Sequence, residues 1–441
     1  MSQRLWSATG KAADLVLRHV RVIDPGEGLD ELRSIVITKG RIIAVDSGDD
    51  VSVPKGARVI DGDGLVALPG FVDLHAHFRV PGREDEEDLA SASAAAAAGG
   101  YVAVFGMANT DPVVDNASVL RALAERATAE ALVPCGFFAA VTRDLAGERL
   151  TEMAELAAAG AVGFSDDGRS LGSSLLVRRA LQYVKVTDRF VAVHAEDDSL
   201  VSGGVMHEGA VSARLGLSGM PSVAESLDVA RALELAGYEQ SRVLVCHVSA
   251  KESLGHIERA KAAGVAATAE VTAHHLTLTD DEVTSLDPAV KMNPPLRPEG
   301  DRLAMVAALR DGLIDCVATD HAPHAAHEKD VPFEAAAFGT LGLETAFAAI
   351  HSACVLTGEL PLGVLAERMS QAPARIAGID EPRIAAGAVA NLCLIDPARL
   401  WTVDPAALHS RSTNSAWAGR ELTGKVVLTV AAGRLVWEDI G

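Results

Sequence analysis

The sequence predicts an α/β protein, a (β/α)8 barrel joined to a small β-sandwich domain built from both ends of the chain. Three observations carry this. Between residues 67 and 380, eight apolar runs of strand length alternate with amphipathic or alanine-rich stretches, the texture of a parallel sheet closed into a barrel. On either side, residues 14–66 and 381–441 change to short strand-like runs broken by Gly and Asp, as small β domains do. Finally, six of the eight runs end in His, Asp or Asn, and the carboxyl ends of barrel strands are where such folds keep their active sites. Residues 1–13 read as a loosely attached extension.

Taken in order, residues 15–23, 34–38 and 41–45 form the first strands, punctuated by Gly26, Lys39-Gly40 and Gly48-Asp49-Asp50. The same texture returns at 390–395 and 426–430. The first barrel strand follows the Pro69-Gly70 punctuation and runs Phe71-Val72-Asp73-Leu74-His75-Ala76-His77. The other seven are expected at 101–108, 132–141, 161–164, 190–193, 242–245, 265–272 and 314–318. Helices are expected between them at 85–98, 114–130, 149–159, 173–187, 222–236, 250–263 and 301–311. No glycine-rich dinucleotide loop follows the first run, which argues against an open doubly wound sheet.

Of the 441 residues, 49% are apolar and only 4% aromatic, so the core must be built mainly from Ala, Val, Leu and Ile. A formal net charge of −21 excludes nucleic acid and anionic membrane as partners, since both demand basic patches. The five cysteines are scattered without a CxxC spacing, which indicates neither a disulfide framework nor a cysteine zinc site. No apolar run reaches bilayer length and the N-terminus has no signal-peptide core. The expected compartment is the cytoplasm.

Side chains two apart on a strand share a face, so His75 and His77 present two imidazoles together. Singly, His194 or His247 reads as a satisfied buried histidine, and Asp166-Asp167-Gly168 as an ordinary Asp-Gly turn. Together with Asp320 they place four His and two Asp at strand ends, a donor set for zinc rather than for magnesium or calcium. Six ligands exceed the needs of one tetrahedral ion. They suit two ions about 3.5–4 Å apart that share a carboxylate and a nucleophilic hydroxide. An Asp beside them would carry a proton to a leaving nitrogen.

The run from Asp73 to Gly82, the run Ala318-Thr319-Asp320-His321-Ala322-Pro323-His324, and the segments Lys291-Met292-Asn293-Pro294-Pro295-Leu296-Arg297 and Glu270-Val271-Thr272-Ala273-His274-His275 resemble signatures of the amidohydrolase superfamily. Within it they resemble the long bacterial dihydroorotases. The resemblance implies reversible cyclisation of N-carbamoyl-L-aspartate to L-dihydroorotate in pyrimidine biosynthesis, with one or two Zn2+ per subunit. It implies that His75, His77 and Asp320 hold one metal and His194 and His247 the other. Asp167 would bridge, and Asp320 would also serve as general base and acid. Arg79, Asn109, Asn293, His324, Phe338 and Gly339 would meet the substrate, and residues 322–339 would form a loop closing over it. Val80 and Ala108 depart from the usual pattern and could shift the Arg79 and Asn109 loops. A homodimer and a complex with aspartate transcarbamoylase are implied as well. Allantoinases and dihydropyrimidinases are the alternative; they bridge their metals with a modified lysine at the fourth strand, where this chain reads Phe164-Ser165-Asp166-Asp167-Gly168. A non-catalytic partner of the transcarbamoylase is a further alternative, weakened because all six ligand-type residues are present.

Overall fold

The computed structural model describes residues 3–47 and 51–440; the expected Gly48-Asp49-Asp50 turn lies outside the described residues. Among the described residues, strands occur in the order β1 (Leu15–Asp24), β2 (Leu29–Thr38), β3 (Arg41–Asp46), β4 (Arg58–Asp61), β5 (Val66–Pro69), β6 (Phe71–Ala76), β7 (Tyr101–Gly106), β8 (Cys135–Phe137), β9 (Val191–Val193), β10 (Met206–His207), β11 (Gly219–Met220), β12 (Val243–Val245), β13 (Ala267–Thr272), β14 (Cys316–Ala318), β15 (Leu392–Thr402), β16 (Glu421–Ala431) and β17 (Arg434–Glu438).

The middle of the chain closes into a barrel. Strands β6, β7 and β8 pair in parallel, as do β9, β12, β13 and β14. Parallel bridges Ala139–Phe164 and Phe164–Val191 join the two groups on one side, and Ala76–His321 joins them on the other. The fourth of the eight expected strands is thus reduced to bridging at Phe164. Every residue of β6 and β7 is buried, as strands covered on both faces require. The helices stand where the periodicity places them, with shifted ends. The first, expected from residue 85, starts at Leu89 because Asp88 caps it by accepting from Ser91 N, which satisfies an otherwise orphaned first-turn N–H.

Strands from both ends of the chain form one eight-stranded sheet in the order β17-β16-β15-β5-β1-β2-β3, with β4 on the flank of β1. The carboxyl-terminal β15 lies antiparallel on β5, Leu392 opposite Pro69 and Ile395 opposite Val66. Only Gly70 separates β5 in this sheet from β6 in the barrel, and a Cβ there would sit 2.2 Å from Val102 Cγ1. No larger residue fits this crossing.

The amino-terminal segment corrects an expectation. Far from being loose, Trp6 exchanges two backbone hydrogen bonds with Cys135, at 2.9 and 2.8 Å, and its ring stacks on Phe137. Gln3 N and Ala8 N donate to Gly378 O and Ala131 O. A buried tryptophan anchors the segment at the start of β8, the barrel end opposite the ligand-type residues.

Candidate active site

All six ligand-type residues converge at the carboxyl end of the barrel. His75 is the penultimate residue of strand β6, and His77 follows its end. Asp167 follows the Phe164 bridge, His194 follows β9, His247 follows β12, and Asp320 follows β14. His75 Nε2 lies 3.3 Å from Asp167 Oδ1 and 3.6 Å from Asp320 Oδ1. His77 Nε2 lies 3.1 Å from Asp320 Oδ1 and 3.5 Å from Asp167 Oδ2. On the other side Asp167 Oδ1 faces His194 Nδ1 at 3.6 Å and His247 Nε2 at 3.4 Å. One carboxylate therefore stands between two pairs of imidazoles.

The donor atoms have the character that a cation requires. His75 Nδ1 donates to the buried Glu270 at 2.7 Å, which leaves the Nε2 lone pair turned inward, and that atom has no hydrogen-bond partner. His77 Nδ1 donates likewise to Asn109 Oδ1 at 2.9 Å, directing Nε2 at Asp320. His194 Nδ1 and His247 Nε2 approach to 3.0 Å. Two buried ring nitrogens aimed at one point beside carboxylates suit a shared cation, because buried polar atoms otherwise find partners. Burial acts against the charge of Asp167 and Asp320, and the surrounding imidazoles more than offset it, so both carboxyls are held below their usual range. His77 is pushed down by burial, which favours its neutral, ligating form.

Local backbone explains the arrangement. Asp166 accepts from Val141 N and Thr142 N, at 2.7 and 3.0 Å, so the Asp166-Asp167 pair divides its work: the first braces the neighbouring loop and the second enters the site. Asp73 accepts from Thr319 N and Oγ1, at 3.0 and 2.5 Å, tying β6 to the end of β14. Arg79, His247 and Asp320 adopt left-handed φ of +59°, +34° and +47°. Such conformations are costly for non-glycine residues and cluster at functional sites.

A cavity of about 200 Å³ opens above these residues, lined by His77, Asp167, His194, His247 and Asp320 together with Arg79, Asn109, Asn293, His324, Phe338 and Gly339. Every residue that the sequence assigned to substrate contact is on this wall. Val80 and Ala108 are buried, and Arg79 and Asn109 still reach the cavity. Arg79 Nε is held by Glu86 at 2.9 Å and Pro323 O at 3.0 Å. Its Nη2 lies 3.2 Å from His324 Nε2. Asn293 Oδ1 is buried with no partner, an acceptor available to a ligand N–H. Asn109, by contrast, has committed its Oδ1 to His77. Glu270, Asp73, Glu86 and Asn414, all buried, escaped the sequence reading. An acid inside the wholly apolar-flanked run of β13 was the signal available for Glu270.

A family model described as dihydro-orotase-like matches residues 64–253. A dihydroorotase of Anaeromyxobacter dehalogenans is 46% identical over 421 residues, which is 95% of this chain and 96% of that one. Those of Pelobacter propionicus and Geobacter metallireducens are each 44% identical, covering 96% of this chain and 99% and 100% of theirs. Among solved structures, the L-hydantoinase (dihydropyrimidinase) of Arthrobacter aurescens superposes with a TM-score of 0.86 at 24% identity, covering 97% of this chain and 96% of that chain. A D-hydantoinase gives 0.82 at 23%, covering 97% and 95%. At that identity the structures speak for the fold alone, while the sequence relatives span nearly the whole chain. By that full-length likeness, the chain belongs to the dihydroorotase family.

Proposed function

We propose that the protein catalyses the reversible cyclisation of N-carbamoyl-L-aspartate to L-dihydroorotate in pyrimidine biosynthesis. The observation that carries this is the placement of Asp167 between two imidazole pairs beneath a cavity whose wall presents Arg79. The ligand-type residues fit one or two divalent cations, and four imidazoles with two carboxylates favour zinc. His75, His77 and Asp320 would hold one, His194 and His247 the other, with Asp167 shared. Bound there, the metal supplies a Lewis acid and a means of activating water at neutral pH.

The chain's own groups do the rest. Arg79, with its Nε fixed, turns its terminal nitrogens toward the cavity, where a guanidinium grips a carboxylate. Asn293 offers an acceptor to a ring N–H. Asp320, held ionised and facing the cavity, takes a proton in the hydrolytic direction and returns it to the leaving nitrogen. Ring opening consumes water and releases one proton as a second carboxylate forms, so falling pH favours the ring.

Further parts of the reading have their own support. A sandwich-like folding of the terminal sheet is supported by one apolar cluster drawn from β1, β2, β3, β4, β5, β15 and β16. Residues 14–66 and 381–441 would form that domain and 67–380 the barrel. A reducing cytoplasm is supported by five free, buried cysteines, and no helix among the described residues is long and apolar enough to cross a membrane. A homodimer, and an assembly with aspartate transcarbamoylase, are tested by sedimentation of the pure chain alone and mixed with that enzyme.

The central test is metal analysis paired with turnover of dihydroorotate, allantoin and hydantoin by one preparation. Bound divalent metal and a clear preference for dihydroorotate are expected; preference for either uncharged ring overturns the assignment.

A further inference from the structure

Asn414 lies between β15 and β16, in the part of the chain that belongs to the terminal sheet, yet it is buried against the active-site loop. Its Nδ2 donates to Ala322 O at 2.9 Å and to Gly339 O at 3.2 Å, and its Oδ1 accepts from His324 N at 3.0 Å. Only this orientation of the amide satisfies all three backbone groups. Its main-chain oxygen accepts from Leu341 N and Thr340 Oγ1, both at 3.0 Å. Ala322 and Gly339 are the two ends of the loop, and both line the cavity along with His324. One side chain thus ties the neck where the loop leaves the wall and returns to it.

The neck is tight. Gly339 has φ +123°, and a Cβ added there would lie 2.5 Å from Ala322 Cβ. Beyond the neck, Lys291 Nζ donates to Glu334 O and Ala336 O at 2.8 and 2.7 Å. The same stretch that carries Asn414 also reaches the partner of Arg79. Ser412 Oγ donates to Glu86 O at 2.7 Å, and Arg411 N donates to Glu87 at 3.1 Å. The segment after β15 therefore touches both walls that flank the mouth of the cavity.

We propose that Asn414 is a positioning residue that sets the height of His324 and the Phe338-Gly339 wall over the cavity, so that the terminal sheet domain governs substrate affinity without touching substrate. The affinity part rests on the dihydroorotase reading; the tie itself does not. If the amide is cut away, two carbonyls and one N–H lose their partners and the loop opens more readily. Substrate binding must then restore the closed wall, which weakens binding more than it slows chemistry.

The test uses the full-length, metal-loaded protein with Asn414→Ala and the near-isosteric Asn414→Asp, which fills the same space but has no N–H for the two carbonyls. Hydrogen exchange of peptides from 325–337 is expected to quicken at least about tenfold in both variants. KM for dihydroorotate is expected to rise at least about tenfold, with kcat changed less than about threefold and metal content unchanged. Wild-type exchange in that segment overturns the proposal. So does a loss of kcat and metal together at unchanged KM, which marks a purely structural role, and so does wild-type behaviour of Asn414→Asp, which reduces the residue to a space filler. Should the wild-type protein leave dihydroorotate untouched, the activity reading fails while the exchange measurement still decides the role of Asn414.

Discussion

Glu270 is wholly buried on β13, and its contact with the reactive end of the site is the 2.7 Å bond to His75 Nδ1. Removing its negative charge would leave the imidazole in place but weaken the hold on its tautomer. Glu270→Gln is therefore expected to lower metal affinity by about 10–100-fold, measured by competition with a chelator, with turnover recovering as metal is added in excess. Arg79 is held by Glu86 rather than by the acidic residues nearer in sequence, which leaves its far edge for a ligand. A charge-assisted fork to a carboxylate is worth about 1.5–3 kcal/mol. Arg79→Met should cost at least about tenfold in kcat/KM for dihydroorotate, leave metal content alone, and narrow the gap to hydantoin. Equal losses on both substrates would mean that Arg79 only shapes its loop. At this scale the histidines and aspartates were legible because strand-end position and residue type coincide. Glu270, Glu86 and Asn414 were not: Glu270 acts across 195 residues of sequence and Asn414 across 75 to 92, each on a neighbour that only the closed barrel brings near. Glu86 is the exception in distance, seven residues from Arg79, but a charge-rich turn gives no sign of which acid turns inward.

Elements that the periodicity resolved kept their identity and lost residues at their ends, where capping decides. The fourth barrel strand is reduced to its bridges at Phe164; Gly163 before it leaves room for Phe138 and Phe190, whose ring atoms lie within 3.2 Å of where its Cβ would be, and the Asp166-Asp167 turn follows at once. The helices Leu362–Met369 and Gln371–Ala377 went unread because a proline-bearing, short-period stretch gives little signal. The amino-terminal segment hides its role in a single ring. Trp6→Ala should cost about 3 kcal/mol or more, as large-to-small changes of buried aromatics do, seen as a lower urea midpoint. Turnover should survive, since neither Trp6 nor Cys135 lines the cavity. The loop offers a pH signature. Lys329 Nζ donates to Pro288 O and Ala337 O, and burial, aided by the nearby charge of Lys291, brings its ammonium down to about 7. An opened loop would return it toward 10.5, its ordinary value. The closed form thus binds its proton more weakly, and closure is favoured as pH rises from about 7 and loses that advantage below it. Exchange protection of 325–337 should increase between pH 6 and about 9; Lys329→Met should flatten the profile.

Across the whole molecule, charge and chemistry pull in opposite directions. A net charge of −21 repels an anionic substrate at long range, while Arg79, and a cation held by the ligand-type residues, would attract it only nearby. Salt at about 0.15 M cuts the reach of the field to about 8 Å, so kcat/KM should rise as ionic strength increases from low values to that level. A fall instead would show that local attraction steers capture. The terminal sheet adds a consequence in time. β15 takes its place on β5 only after residue 392 has been made, and His75, His77, Asp167, His194, His247 and Asp320 have all left the ribosome by then. A nascent chain halted near residue 390 would hold every ligand-type residue while β5 still bore a bare edge, open to strand addition from a neighbour. The loop neck would meanwhile have no Asn414 to fasten it. Translation of residues 392–431 is thus the step that covers β5 and fastens the loop neck, and a pause before it would expose an adhesive edge on a chain that already holds every ligand-type residue.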